Sequence, residues 1–181
     1  MIPLPPDGFR CIYADPPWPE YGGGRRGAQN HYRLLEPPEI VRAIHRSPVF
    51  PAADCHLWLW APSRIWMALD VVKSLGFQQL GFAVWRKSNG LGLGRYMRYE
   101  SEVLLLCARG KAMVPSKAAK QVIESPPGIE APRQGHSVKP EEFYDLIEAA
   151  SPGPRAELFA RRPREGWYGW GDELQEACNS A

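Results

Sequence analysis

Short apolar runs alternate along this chain with segments of helical periodicity, and this alternation restricts the fold most strongly. The runs that read as strands cover residues 9–14, 55–60, 81–85, 103–107, 157–160 and 167–170. Helices are expected from Pro37, after an N-cap at Ser63, and from Pro140. The second helix should turn an apolar stripe inward and end at Gly76, with the stripe made of Ile65, Leu69, Val72 and Leu75. Strands that alternate with helices predict an α/β fold whose mostly parallel sheet carries helices on both faces.

Length and charge narrow the class of protein. A chain of 181 residues is expected to form a single domain over residues 1–181, with mobile loops at 19–36, 86–100 and 110–137. Lys and Arg number 22 against 20 for Asp and Glu, so overall charge gives no sign of nucleic-acid binding. The four cysteines are far apart and lack metal-ligand spacing. We therefore expect reduced thiols, no metal, no membrane span and a cytoplasmic protein.

Four residues, Asp15-Pro16-Pro17-Trp18, directly follow the first predicted strand. Ligands in open α/β sheets bind at the carboxyl ends of strands, so this motif stands where a site is expected. A carboxylate and a backbone carbonyl could accept the two N–H groups of an exocyclic nucleobase amine and localise its lone pair. The prolines fix φ and carry no competing N–H, and Trp18 offers a flat face to a base turned out of its helix. The motif favours methyl transfer to such an amine over the alternative of a proline-rich surface turn.

The tetrapeptide resembles the catalytic motif of the family of the eukaryotic mRNA adenosine methyltransferase, which includes short bacterial and phage DNA adenine methyltransferases. Further segments are similar to that family in the same order, and the likeness extends from about residue 10 to residue 174. These segments are Tyr32, 57–60, 85–89, 136–140, 151–153 and 157–161. The resemblance implies a Rossmann-like methyltransferase sheet in which the catalytic motif precedes the cofactor segments.

The resemblance also implies a cofactor, S-adenosyl-L-methionine, and roles for particular residues. Asp15, Pro16, Pro17 and Trp18 match the catalytic motif, with Asp15 also beside the cofactor. Lys139 matches a lysine that pairs with the methionine carboxylate, and Arg161 an arginine near the ribose. Asp172 and Glu173 stand where the family often has amides on that ribose. The cofactor-binding residues implied are Asp15, Lys139, Glu157, Phe159, Arg161, Asp172 and Glu173.

A polar, glycine-rich stretch over residues 86–100 is interpreted as a substrate arm. Basic and aromatic side chains there, with Tyr32, are candidates to contact phosphates and stacked bases. These candidates are Tyr32, Lys87, Asn89, Arg95, Tyr96 and Arg98. A solvated loop without function is the alternative.

We therefore expect a S-adenosylmethionine-dependent enzyme that methylates the N6 amine of adenine in DNA. The same reaction on RNA remains open, as do a catalytically silent nucleic-acid-binding partner subunit and a scaffold that only keeps the fold. Assembly as a homodimer or a heterodimer is left open as well.

Overall fold

The computed structural model describes residues 2–19, 33–88, 100–111, 128–132 and 138–174. Ten helices and strands within these ranges form one α/β unit. In chain order they are β1 Phe9–Ala14, α1 Pro37–Arg46, β2 Pro51–Ala61, α2 Ile65–Ser74, β3 Gln78–Lys87, β4 Ser101–Arg109, β5 Gly128–Ala131, α3 Glu142–Ala150, β6 Arg155–Leu158 and β7 Trp167–Trp170.

The strands form one sheet in the order β5-β3-β4-β2-β1-β6-β7. Strand β1 is parallel to both β2 and β6, β6 is parallel to β7, and β3 is parallel to β5. Strand β4 is antiparallel to both of its neighbours, β2 and β3. The sheet is thus mixed, with β4 alone reversed among these strands. The expectation of a mostly parallel sheet missed this reversal because a strand that returns beside its neighbour needs no crossover helix.

The two faces of the sheet carry separate apolar cores, as alternation along β1 shows. Ile12 and Ala14 pack on the face covered by α1 and α2, whereas Cys11 and Tyr13 pack on the face covered by α3. The helices on both faces were expected from the sequence. The inward residues predicted for α3 are all buried, namely Phe143, Leu146, Ile147 and Ala150.

The predicted orientation of α2 is wrong in part. The N-cap position is occupied by Arg64 rather than Ser63, and Ile65 and Leu69 are 39% and 37% exposed. The buried stripe consists of Met67, Ala68, Val71 and Val72. Two adjacent faces of this segment are both apolar, so helical periodicity alone could not choose between them. The predicted end of the helix is confirmed, since Gly76 adopts a φ of +74°.

Three of the four cysteines lie in the described part of the chain, and all three are buried free thiols. Burial raises the pKa of the Cys11 thiol to about 12, so it stays protonated at neutral pH. Within the described ranges, no helix is long and apolar enough to cross a membrane.

The three loops expected to be mobile are described only in part. Arg86 and Lys87 extend β3, and residues 128–131 form β5 within the segment 110–137. The remainder of each loop lies outside the described residues.

Candidate active site

One edge of the sheet collects the side chains of the candidate site. Asp15 follows the last residue of β1, Lys87 ends β3, and Phe159 follows β6. Glu102 is the second residue of β4 and reaches the same edge because β4 runs in the opposite direction. In the sheet register, Glu102 is the partner of Trp85, two residues before the end of β3. The edge is therefore the one at which ligands bind in open α/β sheets.

Asp15 and Lys139 form an ion pair at this edge. Lys139 Nζ lies 2.8 Å from Asp15 Oδ2, and the side chain of Lys139 is 11% exposed and that of Asp15 20% exposed. Lys139 comes from the segment that leads into α3, so two distant parts of the sequence meet here. The ammonium also lies 4.9 Å from the centroid of the Trp60 ring, within the range of a cation–π contact.

A second carboxylate and a second lysine extend this pair into a chain of alternating charges. Lys139 Nζ is 3.3 Å from Glu102 Oε2, and Lys87 Nζ is 2.5 Å from Glu102 Oε1. The Lys87 side chain is only 8% exposed. The order Asp15, Lys139, Glu102, Lys87 thus places two negative and two positive groups in contact, with no net charge.

Burial and these neighbours set the ionisation of the group. Burial raises the pKa of the Asp15 carboxyl, and Lys139 opposes this effect only in part. For Lys139, burial alone would lower the pKa, but Asp15 and Glu102 together outweigh it and raise the pKa. Burial would raise the pKa of Glu102, yet the lysines at 139 and 87 hold it below its ordinary value. Glu102 and Lys139 are therefore held in their charged forms, whereas burial works against the ionised form of Asp15.

Three hydrogen bonds between described residues fix the tetrapeptide. The backbone N–H of Trp18 donates to the Pro16 oxygen at 2.9 Å, and the N–H of Leu35 donates to the Pro17 oxygen at 2.8 Å. The indole Nε1–H of Trp18 donates to the Trp60 oxygen at 2.8 Å. A carbonyl oxygen has two lone pairs, so each proline oxygen can still accept another hydrogen bond. The motif is thus held in place by β2 and by the segment before α1.

Glu157 lies in β6 next to the site, with Tyr13 of β1 as its partner in the register. Tyr144 Oη donates a hydrogen bond to Glu157 Oε1 at 2.9 Å. Burial raises the pKa of Glu157 to about 7, with a further contribution from Asp15. The carboxyl group can therefore change its charge near neutral pH.

The turns after β6 and β7 touch each other. Phe159 has a φ of +61°, and its ring centroid lies 6.1 Å from that of Trp170. A Cβ on Gly171 would lie 2.4 Å from the Ala160 oxygen, so only glycine allows this approach. Arg161 Nη1 lies 3.3 Å from Glu173 Oε1. The close contact thus brings the candidate cofactor residues of both turns together, with Asp172 exposed beside them.

Two further arginines of this segment are tied to α3 and its N-cap residue. Arg162 forms an ion pair with Glu141, and Arg164 Nη1 lies 2.5 Å from the same carboxylate. A cavity of about 500 Å³ lies between these arginines and α3, with Tyr144 and Glu157 in its lining.

The substrate candidates are placed differently from the rest. Five of them lie outside the described residues: Tyr32, Asn89, Arg95, Tyr96 and Arg98. The sixth, Lys87, is described, and its ammonium contacts Glu102 rather than solvent.

Sequence reasoning missed Glu102. The acid directly precedes the predicted strand 103–107, and this is the one signal that it gives. Only the reversed direction of β4 shows that a residue at the start of this strand lies at the same edge of the sheet as Asp15.

The chain is similar in sequence to known proteins along most of its length. Residues 9–173 match the MT-A70 family. The chain is 29% identical to the type II methyltransferase M.MunI of a Mycoplasma species, over 96% of this chain and 81% of that protein. It is 28% identical to the mouse N(6)-adenine-specific methyltransferase METTL4, over 92% of this chain and 37% of that protein.

A fungal relative has a name that specifies RNA. The N6-methyladenosine RNA methyltransferase MTA1 of Pyricularia oryzae is 28% identical, over 94% of this chain and 49% of that protein. The chain therefore spans half or less of METTL4 and MTA1 but most of M.MunI. With the family match over most of its length, this chain is a member of the MT-A70 family of adenine N6-methyltransferases.

Proposed function

We propose that this chain methylates the N6 amine of adenine in DNA, with S-adenosyl-L-methionine as the methyl donor and Asp15 as the catalytic carboxylate. The observation that carries the proposal is the contact between Asp15 and Lys139 at the carboxyl edge of the sheet, 2.8 Å apart. It joins the tetrapeptide to the segment that resembles a cofactor-binding lysine.

The residues around Asp15 suit the activation of an aromatic amine. Asp15 accepts one N–H of the adenine amine, and the free lone pair of the Pro16 or Pro17 oxygen accepts the other. Because hydrogen bonds to Trp60 and Leu35 already fix the tetrapeptide, these acceptors need no reorganisation during the reaction. Burial raises the pKa of Asp15, which makes its carboxylate a better acceptor for the proton that the methylated amine must lose.

The residues present fit the cofactor. When bound, S-adenosylmethionine supplies a methyl group made electrophilic by its sulfonium. An ammonium has three N–H donors, and Lys139 directs them toward Asp15 and Glu102 with one remaining for the methionine carboxylate. Asp172 and Glu173 offer carboxylate oxygens to the ribose hydroxyls, as acidic residues do in dinucleotide sites. Glu157, Phe159 and Arg161 complete the same edge.

DNA is favoured over RNA by the extent of similarity. M.MunI, a type II DNA methyltransferase, is matched over 81% of its length, whereas MTA1, named for RNA, is matched over 49%. Both alignments cover nearly all of this chain, at 29% and 28% identity, but the alignment with M.MunI covers a much larger part of the relative.

Methyl transfer to matched nucleic acids tests the proposal. The purified chain is incubated with methyl-labelled S-adenosylmethionine and duplex DNA, single-stranded DNA or RNA of the same sequence. Fragmented genomic DNA lacking N6-methyladenine and its transcripts are included so that many possible recognition sequences are present. We expect labelling of DNA at least about tenfold faster than RNA. Faster labelling of RNA would support the RNA alternative, and no labelling of either would support a silent partner subunit.

A further inference from the structure

Glu102 divides its two carboxylate oxygens between two buried lysines. Oε2 lies 3.3 Å from Lys139 Nζ, and Oε1 lies 2.5 Å from Lys87 Nζ. The side chains of Lys87 and Lys139 are only 8% and 11% exposed, so water could replace little of the hydrogen bonding that Glu102 gives to their ammonium groups. No resemblance or comparison assigns this carboxylate a role.

The position of Glu102 bears on how Lys139 meets Asp15. The Lys139 ammonium contacts one oxygen of Asp15, Oδ2, and directs a second contact to Glu102. An ammonium bound by Asp15 alone would be free to move onto both oxygens of that carboxylate. Such a position would occupy the oxygens that must accept the substrate amine.

We propose that Glu102 is a positioning residue for methyl transfer, which draws Lys139 toward itself and leaves Asp15 Oδ1 open to the adenine amine. The expected effect of Glu102 on kcat rests on the proposed function. Its expected effect on the titration of Asp15 does not. Glu102 need not touch the substrate or the cofactor, because it acts through Lys139.

Lys87 balances the charge of Glu102. The Glu102 side chain is 32% exposed, and its partial burial disfavours the ionised form, which Lys139 and Lys87 together stabilise. Lys87 Nζ also lies 5.2 Å from the centroid of the Trp85 ring, which holds the ammonium on the inner side of β3. The lysine that sequence alone suggested for phosphate contact thus serves as the counter-charge of Glu102.

The titration of Asp15, followed by carboxyl-carbon NMR, tests the electrostatic part without any need for turnover. Three variants are compared with wild type: Glu102→Gln, the charge-balanced double variant Glu102→Gln/Lys87→Met, and the control Glu130→Gln. The control removes a carboxylate that is 59% exposed and pairs with Arg86. Within the described part of the chain, the charged and titratable groups that face Asp15 are Tyr13, Glu102, Lys139, Tyr144, Glu157 and Arg161.

Loss of the Glu102 charge should lower the titration midpoint of Asp15 by about 0.5–1 pH unit, because a nearby negative charge is removed and Lys139 moves closer. The double variant leaves no unpaired buried ammonium, and it should shift the midpoint in the same direction while remaining folded. Glu130→Gln should leave it unchanged. An unchanged or raised midpoint in the folded double variant would overturn the proposal.

Kinetics test the catalytic part. In Glu102→Gln, kcat should fall about tenfold, whereas KM for S-adenosylmethionine should change less than about threefold. A loss confined to KM, or none at all, would remove Glu102 from the positioning of Asp15. If wild type shows no methyl transfer to any nucleic acid, the proposed function fails, while the titration still decides the effect of Glu102 on Asp15.

Discussion

The indole N–H of Trp18 donates a hydrogen bond to the main-chain oxygen of Trp60, with 2.8 Å between the two heavy atoms. The bond joins the tetrapeptide after β1 to the carboxyl end of β2. Trp60 in turn donates its own indole N–H to Tyr13 Oη at 2.6 Å. The aromatic residue proposed to face the substrate base is therefore also an anchor of the motif.

Replacing Trp18 by Phe removes this anchor and keeps an aromatic face. We expect the free energy of unfolding to fall by about 1 kcal/mol, the usual contribution of one hydrogen bond. The fall in kcat should correspond to more than about 1 kcal/mol, because the Asp15 carboxylate and the proline oxygens lose their fixed position. Urea unfolding and kcat are measured on the same preparation. Wild-type kcat together with reduced stability would show that the anchor does not serve catalysis.

The raised pKa of Glu157 predicts a pH-dependent stability. The folded carboxyl titrates near 7, against an ordinary value of 4.5, so the folded state binds more protons between these values. The contribution of Glu157 to stability is thus full below about pH 4.5 and is lost as pH rises through 7. Glu157→Gln does not titrate and can still accept the Tyr144 hydrogen bond.

Unfolding free energies of wild type and Glu157→Gln at pH 5 and pH 8 measure this effect. From pH 5 to pH 8, the free energy of unfolding of the variant should rise by on the order of 2 kcal/mol relative to that of wild type. The other titrating groups are common to both proteins and cancel in the difference. A difference that does not change with pH would show that Glu157 titrates at its ordinary pKa.

Gly171 permits the contact between the turns after β6 and β7. An alanine there would place its Cβ 2.4 Å from the Ala160 oxygen and 2.7 Å from the Ala160 nitrogen. We expect Gly171→Ala to cost about 2–3 kcal/mol of stability and to weaken S-adenosylmethionine binding, since Arg161 and Glu173, now 3.3 Å apart, would separate. Calorimetry with the cofactor and thermal unfolding provide the two readouts.

Gly81→Ala is the matched control for this change, because its added Cβ would meet nothing within 4 Å. Its stability should stay within about 1 kcal/mol of wild type. Equal effects of the two substitutions would contradict the close approach at Gly171.

The local pattern of the sequence predicts much of this fold. Strand β1 begins and ends where the apolar run does, and α3 buries the four residues that its periodicity selects. The face of α2 was misassigned because two adjacent stripes are equally apolar, and only packing on α1 and the sheet selects one of them. Local pattern therefore identifies elements better than their orientation.

The ion pair of Asp15 with Lys139 joins residues that the family resemblance had already selected. The contribution of Glu102 could not be foreseen, because it depends on the reversed direction of β4. Lys87, on β3, is likewise placed by its ion pair with Glu102 on the neighbouring strand β4 and not by its neighbours in the sequence. Contacts between distant strands thus account for what the sequence alone could not reveal.

The most direct test of the account compares methyl transfer to DNA by wild type, Asp15→Asn and the control Asp145→Asn, whose carboxylate is exposed on α3. Asparagine keeps the shape of Asp15 but removes its charge, so Lys139 retains only Glu102 as an ionic partner. We predict that Asp15→Asn lowers kcat by at least about 1,000-fold while the cofactor dissociation constant changes less than about threefold. The control should keep the wild-type rate. An Asp15→Asn protein that keeps a tenth or more of that rate would contradict the central claim.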